Sequence, residues 1–309
     1  MGWLPACAGE LTVYLIGTGG PELTPGRRGP ATLIRANDEL FLFDVGWGAL
    51  DGIYSARIPP QDVTRICLTH LHSDHIEGLP SLWITPWFLL GRQTQLRVWG
   101  PSGTAAMVVG MRQMYGHDLE HRANSVFKQE YLNIDVQESD GGVVYSERGV
   151  RITAVPVEHR DGNPALGYRV DAAGRSVLMT GDATLSDSLL KAGKGVDVLI
   201  SNVAAGSEAI EKSGAIDGIL AKLMRPEQAA RLFRETGPRM AVFSHIVKKG
   251  LPGAAGDAVL VDRTRKAGYS GPLEVGLDGM KINVGDSIRI DPPQPRLTLP
   301  DLDGPASRR

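Results

Sequence analysis

The stretch Thr69-His70-Leu71-His72-Ser73-Asp74-His75 places three imidazoles and a carboxylate within six consecutive positions. Such donors are borderline-hard and suit a divalent transition metal, Zn²⁺ foremost. The run before it, Thr64 to Leu68, reads as a strand, so His70 and His72, two apart, are expected to share a face. Asp74 and His75 fall past the strand, where the turning chain can address a second cation. A solvated loop is the ordinary reading of any single histidine, but three of the chain's seven sit here. A pair of metals needs further donors, and three downstream segments offer them. Val157-Glu158-His159, Thr180-Gly181-Asp182 and Phe243-Ser244-His245 each set a ligand-type residue directly after an apolar run. Strand ends converging on one edge would gather them, and a carboxylate such as Asp182 can span two cations with its two oxygens.

The elements that must position these residues are legible as hydrophobic periodicity broken by Gly, Pro and Asp. Strands are expected at Leu11–Ile16, Ala31–Ile34, Leu40–Phe43 and Val63–Thr69. A second block follows at Val150–Val157, Leu166–Val170, Ser176–Thr180, Val196–Ile200, Met240–Phe243 and Lys281–Ile290. Helices are expected at Gly46–Ala56, Gly103–Tyr115, Leu185–Ala192, Pro226–Glu235 and Gly256–Ala267, with Pro226 suited to a first turn. Two such blocks, each able to cover one sheet face with helices, predict a layered α/β sandwich rather than a doubly wound parallel sheet. Without a Ser/Gly/Pro linker between them, one domain over 11–290 is expected. From Asp291 onward Pro292, Pro293, Pro295 and Pro300 predict an irregular Pro-rich tail, 291–309.

Composition narrows the function class. Over 309 residues, 42% hydrophobic and 22% charged, the chain has enough apolar surface for a core. With 33 Lys+Arg against 35 Asp+Glu it carries no global positive field for nucleic acid or anionic lipid. No run approaches the length of a membrane-spanning helix. Cys7 and Cys67 cannot build a disulfide framework, and Cys67 lies in an apolar run where a buried thiol is the default. Residues 1–10, with Leu4-Pro5-Ala6-Cys7-Ala8-Gly9, have small residues placed like the end of a secretory signal. The expectation is a periplasmic or secreted protein if that segment is a signal remnant, and a cytoplasmic one if the N-terminus is complete.

The His70–His75 motif resembles the His-x-His-x-Asp-His mark of the metallo-β-lactamase superfamily. The likeness continues in order through Gly17-Thr18-Gly19-Gly20, Phe43-Asp44-Val45-Gly46, Glu158-His159, Gly167-Tyr168, Thr180-Gly181-Asp182 and Ser244-His245, and is similar to the ribonuclease Z and arylsulfatase-like branch. The resemblance implies a four-layer αββα sandwich with two Zn²⁺ ions at one edge, Mn²⁺ or Fe²⁺ being alternatives. It implies His70, His72 and His159 on one ion, Asp74, His75 and His245 on the other, Asp182 as the bridge, and Asp44 as the carboxylate that orients a ligand histidine. A water shared by two such ions ionises near neutral pH, so the expected reaction is hydrolysis, with Asp74 holding or shuttling the proton.

Three features point away from tRNA maturation. The 23 positions from His159 to Asp182 are too few for the RNA-gripping arm of ribonuclease Z, and the charge is balanced. In Leu223-Met224-Arg225-Pro226-Glu227-Gln228 the resemblance places Leu223 where that branch carries a further histidine, removing a candidate general acid. The leading expectation is therefore hydrolysis of small phosphate or sulfate esters with activated leaving groups. A β-lactam or lactone hydrolase is the alternative, kept open by the likeness of Trp99 to Tyr115 to ribonuclease-Z-like enzymes with lactamase side activity. Less favoured are tRNA 3′ processing, an iron-dependent oxidoreductase and a non-catalytic metal-binding relative. Trp83 and Trp87, in the apolar run Leu79–Leu90, are candidates for a substrate wall, against a buried helix or a homodimer contact. His117 and His121, four apart on one helix face, are further candidates for substrate contact.

Overall fold

The computed structural model describes residues 11–124 and 126–293. The N-terminal segment with Cys7, and the tail beyond Pro293, lie outside the described residues. The first six strands are β1 (Leu11–Gly17), β2 (Ala31–Ala36), β3 (Glu39–Phe43), β4 (Arg65–Cys67), β5 (Leu96–Gly100) and β6 (Ile134–Glu138). The next seven are β7 (Gly142–Glu147), β8 (Val150–Val157), β9 (Ala165–Ala172), β10 (Arg175–Met179), β11 (Val198–Gly206), β12 (Met240–Lys249) and β13 (Leu273–Val275). These seven make one sheet in the order β13-β12-β11-β10-β9-β8-β7. The chain then returns as the hairpin β14 (Lys281–Val284) and β15 (Ile288–Asp291), completing the other sheet in the order β15-β14-β1-β2-β3-β4-β5-β6. The single strand expected over Lys281–Ile290 is thus two, split at Gly285-Asp286-Ser287, and Asp291 closes a strand rather than opening the tail.

Period-two alternation explains the layering. Leu11, Val13, Leu15, Phe41 and Phe43 point inward to meet Ile152, Tyr168, Val170, Val177 and Ile200 of the opposite sheet in one buried cluster. Ile16, Leu33, Leu40 and Leu42 point outward under α1 (Ala49–Ser55) and α3 (Leu79–Leu89). Leu178, Leu199, Ala241 and Phe243 do the same beneath α6 (Asp187–Gly193), α9 (Pro226–Thr236) and α10 (Gly253–Lys266). Central strands buried on both faces read as nearly continuous apolar runs, which is why they were visible in the sequence. The result is the expected αββα sandwich. The short elements α2 (Ser73–Ile76), α7 (Glu208–Lys212) and α8 (Asp217–Leu220) carry too few residues for a periodic signal, and β6, β7 and β13 are too exposed for one.

Trp83 and Trp87 do not form a substrate wall. They are 0% and 2% exposed in the outer core of the first sheet, and their Nε1 atoms donate to the Leu132 carbonyl (3.0 Å) and the Lys128 carbonyl (3.1 Å). An indole that buries its ring must still satisfy its N–H, and these do so against backbone on the side of the sheet away from the inter-sheet core. Cys67 is buried, as expected.

Candidate metal centre

The ligand-type residues gather at one edge of the two sheets, after β4, β8 and β10 and within β12. The strand before the histidine motif is shorter than its apolar run suggested: β4 ends at Cys67, and His70 and His72 lie in the loop, His72 being the residue that precedes α2. Asp74 and His75 are on that helix. The shared-strand-face argument for His70 and His72 therefore fails, and the loop, not the pleat, brings them together. His159 follows β8, and Asp182 follows β10 across Gly181, whose φ of 59° turns the chain where a Cβ would stand 2.7 Å from the Leu166 carbonyl oxygen.

His245 is not at a strand end. It lies within β12, where the pairing passes from Ser201↔Phe243 to Val203↔Ile246, so that Ser244 and His245 together face Asn202 alone. This bulge, with His245 at φ 44°, turns the imidazole toward the other ligands. The Gly17–Gly20 stretch supports it: Ile246 donates to the Thr18 carbonyl (2.9 Å), and a Cβ on Gly20 would lie 3.1 Å from His245 Cε1. These glycines allow close backbone packing beside the site.

Three sets of side chains have ligand atoms mutually within 4.8 Å: His70, His72 and His159; His70, His75 and Asp182; and Asp74, His75 and His245. The carboxylate of Asp182 lies between them, its Oδ2 at 3.1 Å from His245 Nε2, 3.6 Å from His75 Nε2 and 3.7 Å from His159 Nε2. Asp74 Oδ2 is 3.4 Å from His245 Nε2. His70 Nε2, His75 Nε2, His245 Nδ1 and Asp182 Oδ1 are buried with no hydrogen-bond partner. Orphaned lone pairs on this scale are costly unless something else takes them, and imidazole nitrogens with carboxylate oxygens fit divalent cations.

The surrounding contacts prepare these atoms to coordinate. Asp44, held at φ 59°, accepts from His75 Nδ1 at 2.8 Å and from Thr69 N at 2.8 Å, which leaves His75 Nε2 facing the cluster. His159 Nδ1 meets the Lys222 carbonyl at 2.9 Å, so the ring donates there and presents Nε2 inward. Its backbone N–H donates to Asn163 Oδ1 (2.9 Å). Burial, then the charge of His75, drives the His70 imidazole far below its ordinary value, keeping that ring neutral. Burial also lowers His159. Burial opposes protonation of His75, but Asp44 and Asp182 outweigh it and hold the ring well above the usual histidine range. A cation at Nε2 would replace that proton. Burial raises Asp182, yet His245 and His75 pull it far below the usual carboxylate range; Asp74 is likewise lowered, with the His245 hydrogen bond overcoming burial.

Two cavities adjoin the cluster. One, of about 50 Å³, lies between the sheets among Thr32, Asp44, Thr180, Asn202 and Ser244. The other, of about 60 Å³, reaches outward from His72, Asp74, His159 and Asp182 to Leu223. His117 and His121 line neither. They are exposed on α5 (Gly116–Arg122), and His121 Nδ1 bonds the His117 carbonyl at 2.7 Å, an ordinary surface pair one helical turn apart. Sequence reasoning did not single out Thr69 or Gly162. Thr69 Oγ1 lies 2.9 Å from Asp44 Oδ2 and 3.0 Å from His70 Nδ1; a Cβ on Gly162 would stand 2.0 Å from His159 Cδ2. Thr69's adjacency to the motif was the one available signal.

A family model described as a β-lactamase superfamily domain matches residues 40–246. The chain is 31% identical over 278 residues to a protein named ribonuclease Z from Mycobacterium bovis (strain BCG / Pasteur 1173P2), covering 89% of this chain and 98% of that one. Among solved structures it is similar to the metallo-β-lactamase fold protein YhfI from Bacillus subtilis, with a TM-score of 0.68, 18% identity and coverage of 89% and 99%. It is also similar to human tRNase Z, short form, with a TM-score of 0.67, 20% identity and the same coverage. At those identities the two structures speak to the fold alone.

Proposed function

Because the chain belongs to the metallo-β-lactamase superfamily and is a hydrolase of that fold, we propose that it hydrolyses small anionic esters of phosphoric or sulfuric acid whose alcohol departs without receiving a proton. Leu223 carries this reading. Its side chain is buried and lines the outward cavity with His72, Asp74, His159 and Asp182, where assistance to a poor leaving group would need a proton donor. An aliphatic side chain donates nothing, so only a leaving group stable as an anion is served well. Divalent cations, with Zn²⁺ expected, supply Lewis acidity toward the ester oxygens and acidify water when bound. His70, His72 and His159 would hold one, Asp74, His75 and His245 the other, and Asp182 both. Asp44 fixes His75, while the ionised Asp74 is available to accept a proton from the attacking water.

The relative named ribonuclease Z, matched over 98% of its length, favours a second reading, cleavage of precursor tRNA. Against it, the residues between His159 and Asp182 are spent on a one-turn 3₁₀ helix and the β9–β10 hairpin, with no projecting arm. The test is a panel assayed with zinc: aryl phosphodiesters, aryl phosphomonoesters, aryl sulfates, lactones, cephalosporins and a precursor tRNA with a 3′ trailer. The highest kcat/KM is expected on an aryl ester. Equal or better cleavage of the precursor tRNA, or of alkyl phosphodiesters, would overturn the proposal.

A further inference from the structure

We propose that the outward cavity binds the alcohol portion of the ester through an apolar wall, making the substrate an ester of a hydrophobic alcohol. This rests on the ester reading above and names its leaving group. The cavity is lined by the ligand-type His72, Asp74, His159 and Asp182, by Glu22 and Lys222, and by the apolar Pro21, Ile219, Leu223 and Val247. Ile219 and Leu223 are one helical turn apart, Leu223 N donating to the Ile219 carbonyl at 3.1 Å, so their side chains project together. Leu223 and Val247 pack on Ala204, Ile216 and Leu220 in a small cluster separate from the main cores. The wall is thus built by α8, the turn that follows it and β12, and it is tied to the ligands, since the Lys222 carbonyl holds His159 Nδ1 at 2.9 Å.

The charged groups of this cavity outside the ligand set are already paired. Lys222 Nζ lies 3.0 Å from Asp161 Oδ2, and Glu22 Oε1 lies 2.6 Å from Lys249 Nζ. Among the described residues lining the cavity, no unpaired cation remains to grip the next phosphate of a nucleic-acid chain. A hydroxyl-rich alcohol would set its polar groups against Ile219, Leu223 and Val247 and lose the hydrogen bonds it had in water. A hydrocarbon or aryl group loses nothing there and sheds its hydration. In the reaction, water adds to phosphorus or sulfur and the ester P–O or S–O bond breaks, its electron pair leaving with the alcohol oxygen. One proton of the water passes to Asp74 and on to solvent, and its oxygen stays on the acid.

The zinc-loaded protein is titrated calorimetrically with n-alkylphosphonates from methyl to hexyl, probes that bind without turning over. Affinity is expected to rise about fourfold per methylene over the first few carbons, the value for full burial of each group. In Ile219→Ser, on a half-buried position that leaves the fold intact, and in Leu223→Ser, the gradient should shrink to less than half. An affinity independent of chain length in the unaltered protein, or a full gradient surviving in both variants, overturns the assignment. Ester turnover is measured in parallel: a chain-length gradient without turnover on any ester sinks the ester reading and keeps the apolar wall. A flat gradient with turnover sinks the wall alone.

Discussion

Asp44→Asn is the sharpest perturbation, because the backbone is spared: Asp44 sits at φ 59°, a region asparagine tolerates and alanine does not. Its Oδ1 accepts from Thr69 N (2.8 Å) and Oγ1 (3.1 Å), and its Oδ2 from His75 Nδ1 (2.8 Å). An amide has one acceptor oxygen. With its NH₂ toward Thr69 the asparagine strands the buried backbone N–H; with its NH₂ toward His75 it donates to Nδ1 and drives the ring to the tautomer whose Nε2 carries the proton and cannot take a cation. Leaving such a donor unsatisfied costs about 1–3 kcal/mol. Loss of the group that orients a metal-binding histidine typically weakens cation binding by about 10- to 100-fold, or ~1.4–2.8 kcal/mol. The assay is zinc affinity by chelator competition, with circular dichroism to verify folding. A folded Asp44→Asn protein that binds zinc within twofold of the parent would refute the claim that Asp44 prepares His75 to coordinate.

Gly162→Ala places a methyl group 2.0 Å from His159 Cδ2, so His159 must leave its position; elemental analysis should show the zinc content falling toward half, and two tightly held ions would contradict that. Leu223→His restores a proton donor beside the ligands and should raise kcat on esters with poor leaving groups about tenfold or more, with little change on aryl esters. No selective gain would mean that cavity shape, not proton donation, limits the range. Trp83→Ala should cost about 3–5 kcal/mol in urea denaturation. The variant that remains folded should keep its KM, since the ring faces core rather than substrate; a large KM rise would reinstate it as a pocket residue.

Much of the architecture was readable because its central strands are buried on both faces, and such strands announce themselves as apolar runs. β1, β2, β3 and β10 sit within a residue or two of their expected bounds for this reason, while β11 runs six residues past its expected end at Ile200, to Gly206. Exposed β6 and β7 carry no such run. The tryptophans were misread as a pocket wall for a related cause: sequence reports that a run must be hidden, not which side hides it. Trp83 and Trp87 lie on α3 and pack onto the outer face of the first sheet, away from the ligands. Likewise the helical spacing of His117 and His121 was real, but a helix face can be correct and still look at solvent.

The amino-acid order alone determined the donor chemistry, the αββα layering and membership of a metal-dependent hydrolase family, since residue type, periodicity and motif spacing are local properties. Tertiary structure decided the rest. Asp182, after β10 of one sheet, meets His75, after β4 of the other, at 3.6 Å only because two separately built sheets bring their loops to one edge. His245 reaches that edge through a two-against-one bulge in the middle of a strand, whereas in the sequence Ser244-His245 reads as the end of the apolar run Met240–Phe243. The character of the outward cavity, with Leu223 and Val247 among its lining beside the imidazoles, depends on the turn after α8 and β12 meeting across the chain. Contacts between residues far apart in sequence depend on how elements pack, and no short window of sequence contains that information.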